Sequence, residues 1–599
     1  MVSQSSLPTS PNDARSSLAK SPTDRPPNAR ATATGYMGYT SYSTVIEETL
    51  SILSSERQDN TPCGSMGKDP IRISPKTLQL AVTILHHVPY TDEGVAIYRK
   101  DMNHYHAIIK MIAKRVLHSL YEAFGQYLGR DRSAAKYEAL ARKICYNSSQ
   151  PVLNLTDTDA WLDQFCGPNL RWESLGLLFN YWDLEKSAMV PTDPLLRKSY
   201  CIPTMQECLM LCVELSQEFS GGNLFLVFLK YRRAVLESML TGDAGRQTWR
   251  YHADTISSLT FLGMHAEATD SDSYKPTLYS ELSRRIFAMG FIIDKVTVAF
   301  TGRPPLISQM FVTTPMPLDL KDDYFFLDHE SRLEKMRTTL DEKGWNTEGG
   351  FYSSTYIRAR LMLAKITEQI AVIALGTGSH TTRDDLQSLK EKHAATVSEF
   401  PPVLLWHQDH LTDYNIETND LFTRLLLRLE IILNNFFLER LFLRMGQTDG
   451  GALLAASFEL VSLVLNLWTH MDRFEAMRQD FEWLLVGYGA PGGGILCKCL
   501  LKSRSGMLDP SQPHITRSAV IQKLSIFAGF LNWVRPTAPN AELCGEIGSV
   551  VQQVLDQALN TVPNDTTILE GMDWDFGGQV DFSFDLMDTF DWLRTDFSS

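Results

Sequence analysis

The chain has 599 residues, of which 44% are hydrophobic and 10% aromatic, and these fractions are typical of a globular protein. Its net charge of −14 argues against a body that coats itself with nucleic acid non-specifically. The length exceeds what one ordinary hydrophobic core spans, so we expect several subdomains or a large helical array.

Nine cysteines in so long a chain favour reduced intracellular thiols over a disulfide framework. The N-terminus lacks the apolar core of a signal peptide. The most apolar windows are broken by Asp294 and Lys295 or by Glu459, so none offers the roughly 18 uncharged residues of a transmembrane helix. We therefore expect a soluble, intracellular protein that makes no contact with membranes.

Residues 1–60 are rich in Ser, Thr, Pro and Ala and show no periodicity, so we predict a disordered segment there. Helical spacing of apolar residues begins near Ser74 and strand-like alternation is nearly absent, which predicts an all-α domain over about 75–561. The expected helices include one continuous segment over 157–182 and another over 451–485. The Gly- and Pro-rich stretch 487–513 is predicted to be a loop.

The stretch 277–307 is the most informative part of this pattern. Its apolar residues recur in steps of three and four and predict one buried helix. Gly302 suits a left-handed helix cap, and Pro304 and Pro305 cannot continue a helix. A buried helix that carries charged side chains must pair them or lead them to the surface, so we interpret Arg284, Arg285 and Asp294 as salt-bridge and capping residues.

The same stretch resembles the signature of the fungal-specific transcription factor domain, the middle homology region of fungal zinc-cluster regulators. The residues that carry the resemblance are Glu281, Arg284, Arg285, Phe287, Asp294, Lys295, Gly302, Arg303, Pro304 and Pro305. The following segment from Pro315 to Asp319 is similar to the proline-acidic segment of the family, whereas Ala288 stands where members commonly have Trp. The resemblance implies an all-α regulatory domain and a nuclear transcription regulator, often one that governs a metabolic pathway or a secondary-metabolite gene cluster.

The resemblance also implies an N-terminal cluster of six cysteines that binds two zinc ions and reads DNA. The first 144 residues contain only Cys63, and no C-x2-C pair occurs anywhere in the chain. We therefore predict no zinc cluster and no other cofactor in this chain. Loss of the DNA reader, a sequence that lacks its first part, and action through a partner protein remain open as explanations.

Other candidate sites in the sequence have simpler interpretations. The basic stretch 98–143 could follow DNA phosphates, but the solvated faces of amphipathic helices explain it more simply. Cys208 with Cys212 and Cys497 with Cys499 do not supply four zinc ligands, and the second pair is expected in a loop. An all-α enzyme such as a terpene synthase would need aspartate-rich magnesium motifs, and the spacing after Asp322 does not provide one. We predict that the chain is not an enzyme.

The C-terminal tail, residues 565–599, carries nine acidic residues, one basic residue and seven aromatic residues. Mutual repulsion keeps the bulky side chains solvated and available to a partner groove, as in an acidic transcriptional activation domain. An acidic solubilising tail is the simpler alternative, but such tails rarely contain so many aromatic residues. The candidate contact residues are Trp574, Phe576, Phe582, Phe584, Leu586, Phe590 and Trp592.

These patterns predict a transcription regulator with a helical regulatory domain and an activation tail that recruits the transcription machinery or a coactivator. A co-regulator or scaffold that contacts no DNA itself is the alternative. In that case a DNA-binding partner protein would be needed, and a homodimer is also compatible with the sequence. Target genes, ligand and oligomeric state cannot be predicted from these residues.

Overall fold

The computed structural model describes residues 35–38, 40–41, 71–98, 106–184, 194–267, 274–376, 381–446, 451–502 and 511–560. Most of the predicted disordered segment 1–60 and the whole predicted activation tail 565–599 lie outside these residues, so both remain predictions.

The all-α fold class is confirmed. In chain order the helices are α1 (Pro75–His87), α2 (Ala107–Leu128), α3 (Ala134–Ser148), α4 (Thr158–Asp163), α5 (Trp172–Tyr181), α6 (Pro194–Phe219), α7 (Leu224–Thr241), α8 (Arg246–Phe261), α9 (Leu278–Thr301), α10 (His329–Thr339), α11 (Ser353–Leu375), α12 (Arg383–Ser398), α13 (Thr418–Arg444), α14 (Ala452–Thr469), α15 (Met471–Phe474), α16 (Phe481–Leu484), α17 (Ala490–Lys502), α18 (Arg517–Trp533) and α19 (Ala541–Asn560). Among the residues described, β-structure is limited to two isolated bridges, Tyr98–Trp182 and Leu340–Asn346.

Short 3-10 helices occupy several of the connections, at Gly167–Asn169, Gln309–Phe311, Asp322–Phe326, Pro402–Leu404, Gln408–Leu411 and Glu475–Asp480. Helix starts follow local side-chain chemistry. The side chains of Ser74, Asn223 and Thr516 each accept a hydrogen bond from a backbone N–H in the first turn of the helix they precede. These caps satisfy donors that an α-helix leaves without an internal partner.

Two of the predicted long helices are interrupted. The segment 157–182 breaks between α4 and α5, where Gly167 adopts a left-handed φ of 53° and Pro168 cannot donate to a helical ladder. The segment 451–485 breaks after Thr469, and a turn of 3-10 helix separates the short helices α15 and α16.

The loop predicted over 487–513 is wrong for its first half, because α17 occupies Ala490–Lys502 and follows a π-helical turn at Leu485–Gly489. The glycines there permit close packing instead of ending the helix. A Cβ atom on Gly492 would lie 2.7 Å from the carbonyl oxygen of Ser457 on α14. This correction also places Cys497 and Cys499 on a helix, not in a loop.

The helices enclose two hydrophobic cores. The N-terminal core is built from buried residues between Ala81 and Ala364, and the C-terminal core from buried residues between Val298 and Leu555. Helices α9 and α11 contribute to both cores and pack against each other. These two helices therefore join the two halves of the described body.

Two helical segments, Ala452–Thr469 and Phe481–Lys502, are long and apolar enough to cross a membrane by length and composition alone. Within this fold 61% and 67% of their respective windows are buried, and their residues contribute to the C-terminal core. The first segment contains the charged residue Glu459, as the sequence analysis predicts, and the second contains Lys498. Buried core helices can be as long and as apolar as helices that cross a membrane.

The close packing of α17 on α14 generates a stability prediction. Gly492→Ala should lower the free energy of unfolding by about 1–3 kcal/mol, because the added methyl group would press on a backbone oxygen of α14. The matched control is Gly545→Ala on α19, where an added Cβ meets nothing within 4 Å. That change should stabilise the helix by about 0.4–1 kcal/mol. Chemical denaturation of both variants measures the difference, and equal effects would contradict the packing described.

His393 on α12 generates a second prediction, concerning pH. Burial lowers the pKa of His393 from 6.5 to about 4, although a hydrogen bond with Asn435 acts in the opposite direction. The folded state therefore binds fewer protons than the unfolded state, so its contribution to stability is present above pH 6.5 and is lost as the pH falls toward 4.

Unfolding measured between pH 7 and 4 should lose less stability for His393→Leu than for the unmodified protein, by at most about 1.4 kcal/mol per pH unit. Parallel curves for the two proteins would show that the imidazole does not titrate in this way.

Candidate functional site

The central helix α9 carries the residues on which the family resemblance rests, and its limits match the prediction. Thr277 caps the first turn by accepting a hydrogen bond from the backbone N–H of Ser280 at 3.0 Å. At the other end Gly302 adopts a left-handed φ of 67° and donates its N–H to the carbonyl of Val298. The helix stop predicted at Gly302 is therefore the observed one, since only glycine adopts this conformation without strain.

Charged side chains near the start of α9 pair inside the protein. Arg284 contacts the carboxylates of Glu267 and Glu281, at 2.6 and 3.4 Å, and its guanidinium lies 3.7 Å from the centre of the Tyr274 ring. Glu281 in turn accepts hydrogen bonds from the Tyr274 hydroxyl and from the backbone N–H of Leu318. The buried charge of Arg284 is thus compensated by two carboxylates, and α9 is tied to the segment before α10.

Arg285 fixes a second connection. Its guanidinium forms an ion pair with Asp322 and donates to the carbonyl of Leu320 at 3.3 Å, and Asp322 also accepts a hydrogen bond from Ser353 at the start of α11. The sequence around Asp322 resembles a magnesium motif only in part, because its spacing differs. In the structure the carboxylate of Asp322 instead neutralises a buried arginine, as expected for a structural residue.

A third group, which we call the Asp294 cluster, consists of His252, Asp294, Lys295 and Glu368. Lys295 Nζ lies 2.8 Å from Asp294 Oδ2 and 3.1 Å from Glu368 Oε2, and His252 Nε2 lies 3.0 Å from Asp294 Oδ1. All four residues are at most 3% exposed. In the interior of the protein, both carboxylates therefore pair with the ammonium group of Lys295, and Asp294 also pairs with the imidazole of His252.

The Asp294 cluster also binds the chain that follows α9. Asp294 accepts hydrogen bonds from the backbone N–H groups of Leu306 and Ile307, at 3.2 and 3.4 Å, and Lys295 donates to the carbonyl of Ile307. Glu368 accepts from the Ser308 hydroxyl at 2.7 Å and from the backbone N–H of Gln309 at 2.8 Å. The turn after Pro305 is therefore held against α9 and α11 by charged side chains.

Burial alone would raise the pKa of Asp294. The hydrogen bond from His252 and the positive charge of Lys295 outweigh this effect and hold the pKa below its usual value. Asp294 is thus an ionised, fully partnered carboxylate, which stabilises the fold and has no free lone pair directed at a substrate.

The cavity beside this cluster is small. Lys295 lines it together with Phe300 and Tyr488, and its volume of about 40 Å³ exceeds that of one water molecule only slightly. Small-molecule sites usually measure roughly 300–1,000 Å³. The Asp294 cluster is therefore a structural centre that joins three elements.

The remaining residues of the predicted motif lie around this centre. Phe287 is buried in the N-terminal core, and Arg303 donates to the carbonyl of Ala244 at 2.9 Å and lies over the ring of Trp249. Pro304 is exposed and Pro305 partly buried in the turn. None of the seven candidate residues of the tail lies within the described part of the chain, so their role remains a prediction.

Sequence reasoning missed the partners of these charges. His252, Glu267 and Glu368 come from other elements, and no periodicity in a single sequence indicates that they meet α9. Asp319 was noted only as the end of the proline-acidic segment. It is fully buried and accepts hydrogen bonds from Ser354 and from other groups near the start of α11. An acidic residue that follows Pro315 and Pro317 is the one sequence signal that could have indicated this anchor.

Metal chemistry receives no support from the residues described, which contain no group of three or more His, Cys, Asp or Glu side chains placed to hold a metal ion. Cys208 and Cys212 share a helix and are buried. Burial raises the pKa of the Cys208 thiol to about 12, whereas zinc binds the thiolate.

Some arginines of the predicted basic stretch form ion pairs or hydrogen bonds within the protein. Arg115 lies 2.9 Å from Asp163, and Arg130 lies 2.8 Å from Asp92. Arg132 donates to three backbone carbonyls, those of Val88, Leu128 and Gly129. Arg115 thus pairs on the surface of α2, while Arg130 and Arg132 tie down the connection between α2 and α3, and these local contacts agree with the simpler interpretation given above.

The charged side chains of α9 are thus held in structural ion pairs within an all-α body. Residues 236–445 match the family model of the fungal specific transcription factor domain, so the predicted resemblance is confirmed over this part of the chain, and the match indicates a fungal transcription regulator. No curated protein and no solved structure matches the chain. All four residues of the Asp294 cluster lie within the matched range.

The Asp294 cluster generates a third prediction. Lys295→Met should lower the free energy of unfolding by about 3–5 kcal/mol, because it leaves two buried carboxylates without their ammonium partner. The control is Lys321→Met, which breaks an ion pair with Asp323 that is half exposed on both sides and should change stability little. Thermal and denaturant unfolding of the two variants compare them, and similar losses would contradict a special role for the cluster.

Proposed function

We propose that the chain regulates transcription of metabolic genes, such as those of a secondary-metabolite cluster, through a helical regulatory body and an acidic activation tail at residues 565–599. The observation that carries this proposal is the match of residues 236–445 to the fungal specific transcription factor domain. Such a regulator acts in the nucleus and is not an enzyme. The small cavity beside the Asp294 cluster supports a structural use of those charges.

The anchoring of the last described helix supports an output tail. Arg517 at the start of α18 donates to the carbonyl of Ala558 at 3.1 Å, close to the end of α19. The chain therefore leaves the C-terminal core from a fixed position. Aromatic and acidic residues follow that point in the sequence, in a composition suited to a shallow, basic-rimmed groove on the transcription machinery or a coactivator.

A co-regulator that contacts no DNA itself is the second candidate. It is favoured by the cysteines of the described residues, since six of the seven are buried and none belongs to a group placed to hold a metal ion. In this form of the proposal a DNA-binding protein, or a second copy of this chain bound to one, brings the tail to a promoter.

The tail assignment generates a fourth prediction. Residues 565–599 fused to a heterologous DNA-binding domain should activate a reporter gene, and Ala at Trp574, Phe584 and Trp592 should reduce activation at least about tenfold. Buried aromatic anchors commonly carry most of the energy of such contacts.

The matched control replaces Thr566, Thr567 and Thr589 with Ala in the same fusion, which keeps the acidic and aromatic residues and should retain activity. A reporter that stays silent with the unmodified tail would remove the activation assignment. A gel-shift of the full chain on promoter DNA separates the two candidates, since direct binding supports the first and binding only with an added partner supports the second.

A further inference from the structure

A second cleft lies in the C-terminal half, away from the Asp294 cluster. It measures about 460 Å³, which falls within the usual range for small-molecule sites. Its wall combines the connection between α12 and α13, which supplies Trp406, with Arg428 on α13, Ser462 and Asn466 on α14, and Lys523 on α18. Four separate elements thus converge on one space.

Lys523 has no carboxylate partner within ion-pair distance among the described residues. Its ammonium nitrogen lies 5.9 Å from the centre of the Phe458 ring. The side chain is partly buried, and burial alone lowers the pKa of Lys523 because no neighbouring charge counteracts it. A cation in such surroundings is stabilised by an anion that enters the cleft.

Ser462 presents a second unused group to the same space. Its Oγ atom is buried and has no hydrogen-bond partner among the described residues. Other hydroxyl groups on α14 turn back onto their own helix: Ser457 donates to the carbonyl of Leu453 at 2.7 Å, and Thr469 to that of Leu465 at 3.0 Å. Ser462 makes no such bond, so its hydroxyl is left without a partner.

The other polar groups of the wall are already paired. Arg428 Nε donates to Glu459 Oε1 at 2.7 Å, and Gln408 donates its amide N–H to Asn466 Oδ1 at 3.3 Å. The cationic character of the cleft therefore resides in Lys523 and not in Arg428. The half-buried indole of Trp406 adds a planar apolar surface of the kind that packs against rings.

We propose that this cleft binds a small planar organic anion. Its acid group pairs with Lys523, one of its acceptor atoms receives the Ser462 hydroxyl, and its ring packs on Trp406. Trp406 and Arg428 lie within the matched range 236–445, whereas Ser462 and Lys523 lie beyond it. The site is therefore built from this chain's own C-terminal helices as well as from the matched domain, and it does not depend on the proposed function.

The test uses 2-naphthoate as the probe and the full chain as the protein, with binding measured by isothermal titration calorimetry. The neutral analogue 2-naphthamide has the same ring without the charge. We expect 2-naphthoate to bind about 10- to 100-fold more tightly than 2-naphthamide, as expected for a charged hydrogen bond. Failure of 2-naphthoate to bind, or equal affinity for both compounds, would overturn the proposal.

Variants locate the binding. Lys523→Met should weaken binding of 2-naphthoate by about 10- to 100-fold and leave 2-naphthamide unaffected, while Ser462→Ala should weaken it roughly 2- to 10-fold. The matched control is Lys498→Met on α17, a lysine whose pKa is also lowered by burial but which does not line the cleft. Full affinity in Lys523→Met, or an equal loss in Lys498→Met, would contradict the site.

Circular dichroism establishes that each variant is folded before titration. If Lys523→Met fails to fold, Lys523→Gln serves instead, because it retains a polar end and removes only the charge. Full affinity for 2-naphthoate in a folded Lys523→Gln would overturn the proposal in the same way.

Discussion

The pairing of Lys295 with Asp294 and Glu368 is the interaction on which the rest of the described body depends. Each of these charges is almost completely buried, and a buried charge is tolerated only when partners compensate it. Because Glu368 belongs to α11 and the Asp294 cluster also binds the turn after α9, the positions of these elements cannot change independently. Helices α9 and α11 are also the two elements that both hydrophobic cores share, so the cluster fixes how the two halves meet.

Different parts of the chain therefore have different roles in this account. The matched domain supplies a rigid centre whose charges are paired within the fold, and the cavity beside that centre is too small for a ligand. The helices beyond it complete the C-terminal core, form the cleft around Lys523 together with the matched domain, and hold the end of the last described helix. In the proposed function the tail provides the output, while the family motif maintains the structure of the helical body.

The sequence predicted the parts that depend on local chemistry. The apolar spacing of α9 and its stop at Gly302 are properties of neighbouring residues, and a buried helix that carries Arg284 and Arg285 must pair those charges. The partners of those charges could not be predicted, because His252 and Glu368 approach α9 only through the tertiary fold. The glycines of α17 predict a loop, because glycine weakens a helix. In the structure Gly492 instead allows α17 to pack closely against α14. The cleft around Lys523 has no sequence signature, since four elements form it.

The most direct test of this account is a double-mutant cycle between Lys295→Met and Glu368→Gln, measured by denaturant unfolding of the full chain. Direct contact in a buried site predicts that the double variant loses less stability than the two single losses added together, with a coupling energy of about 1–3 kcal/mol. If the two losses add to within about 0.5 kcal/mol, the pair does not act as one buried unit, and the account of how the two halves are joined is wrong.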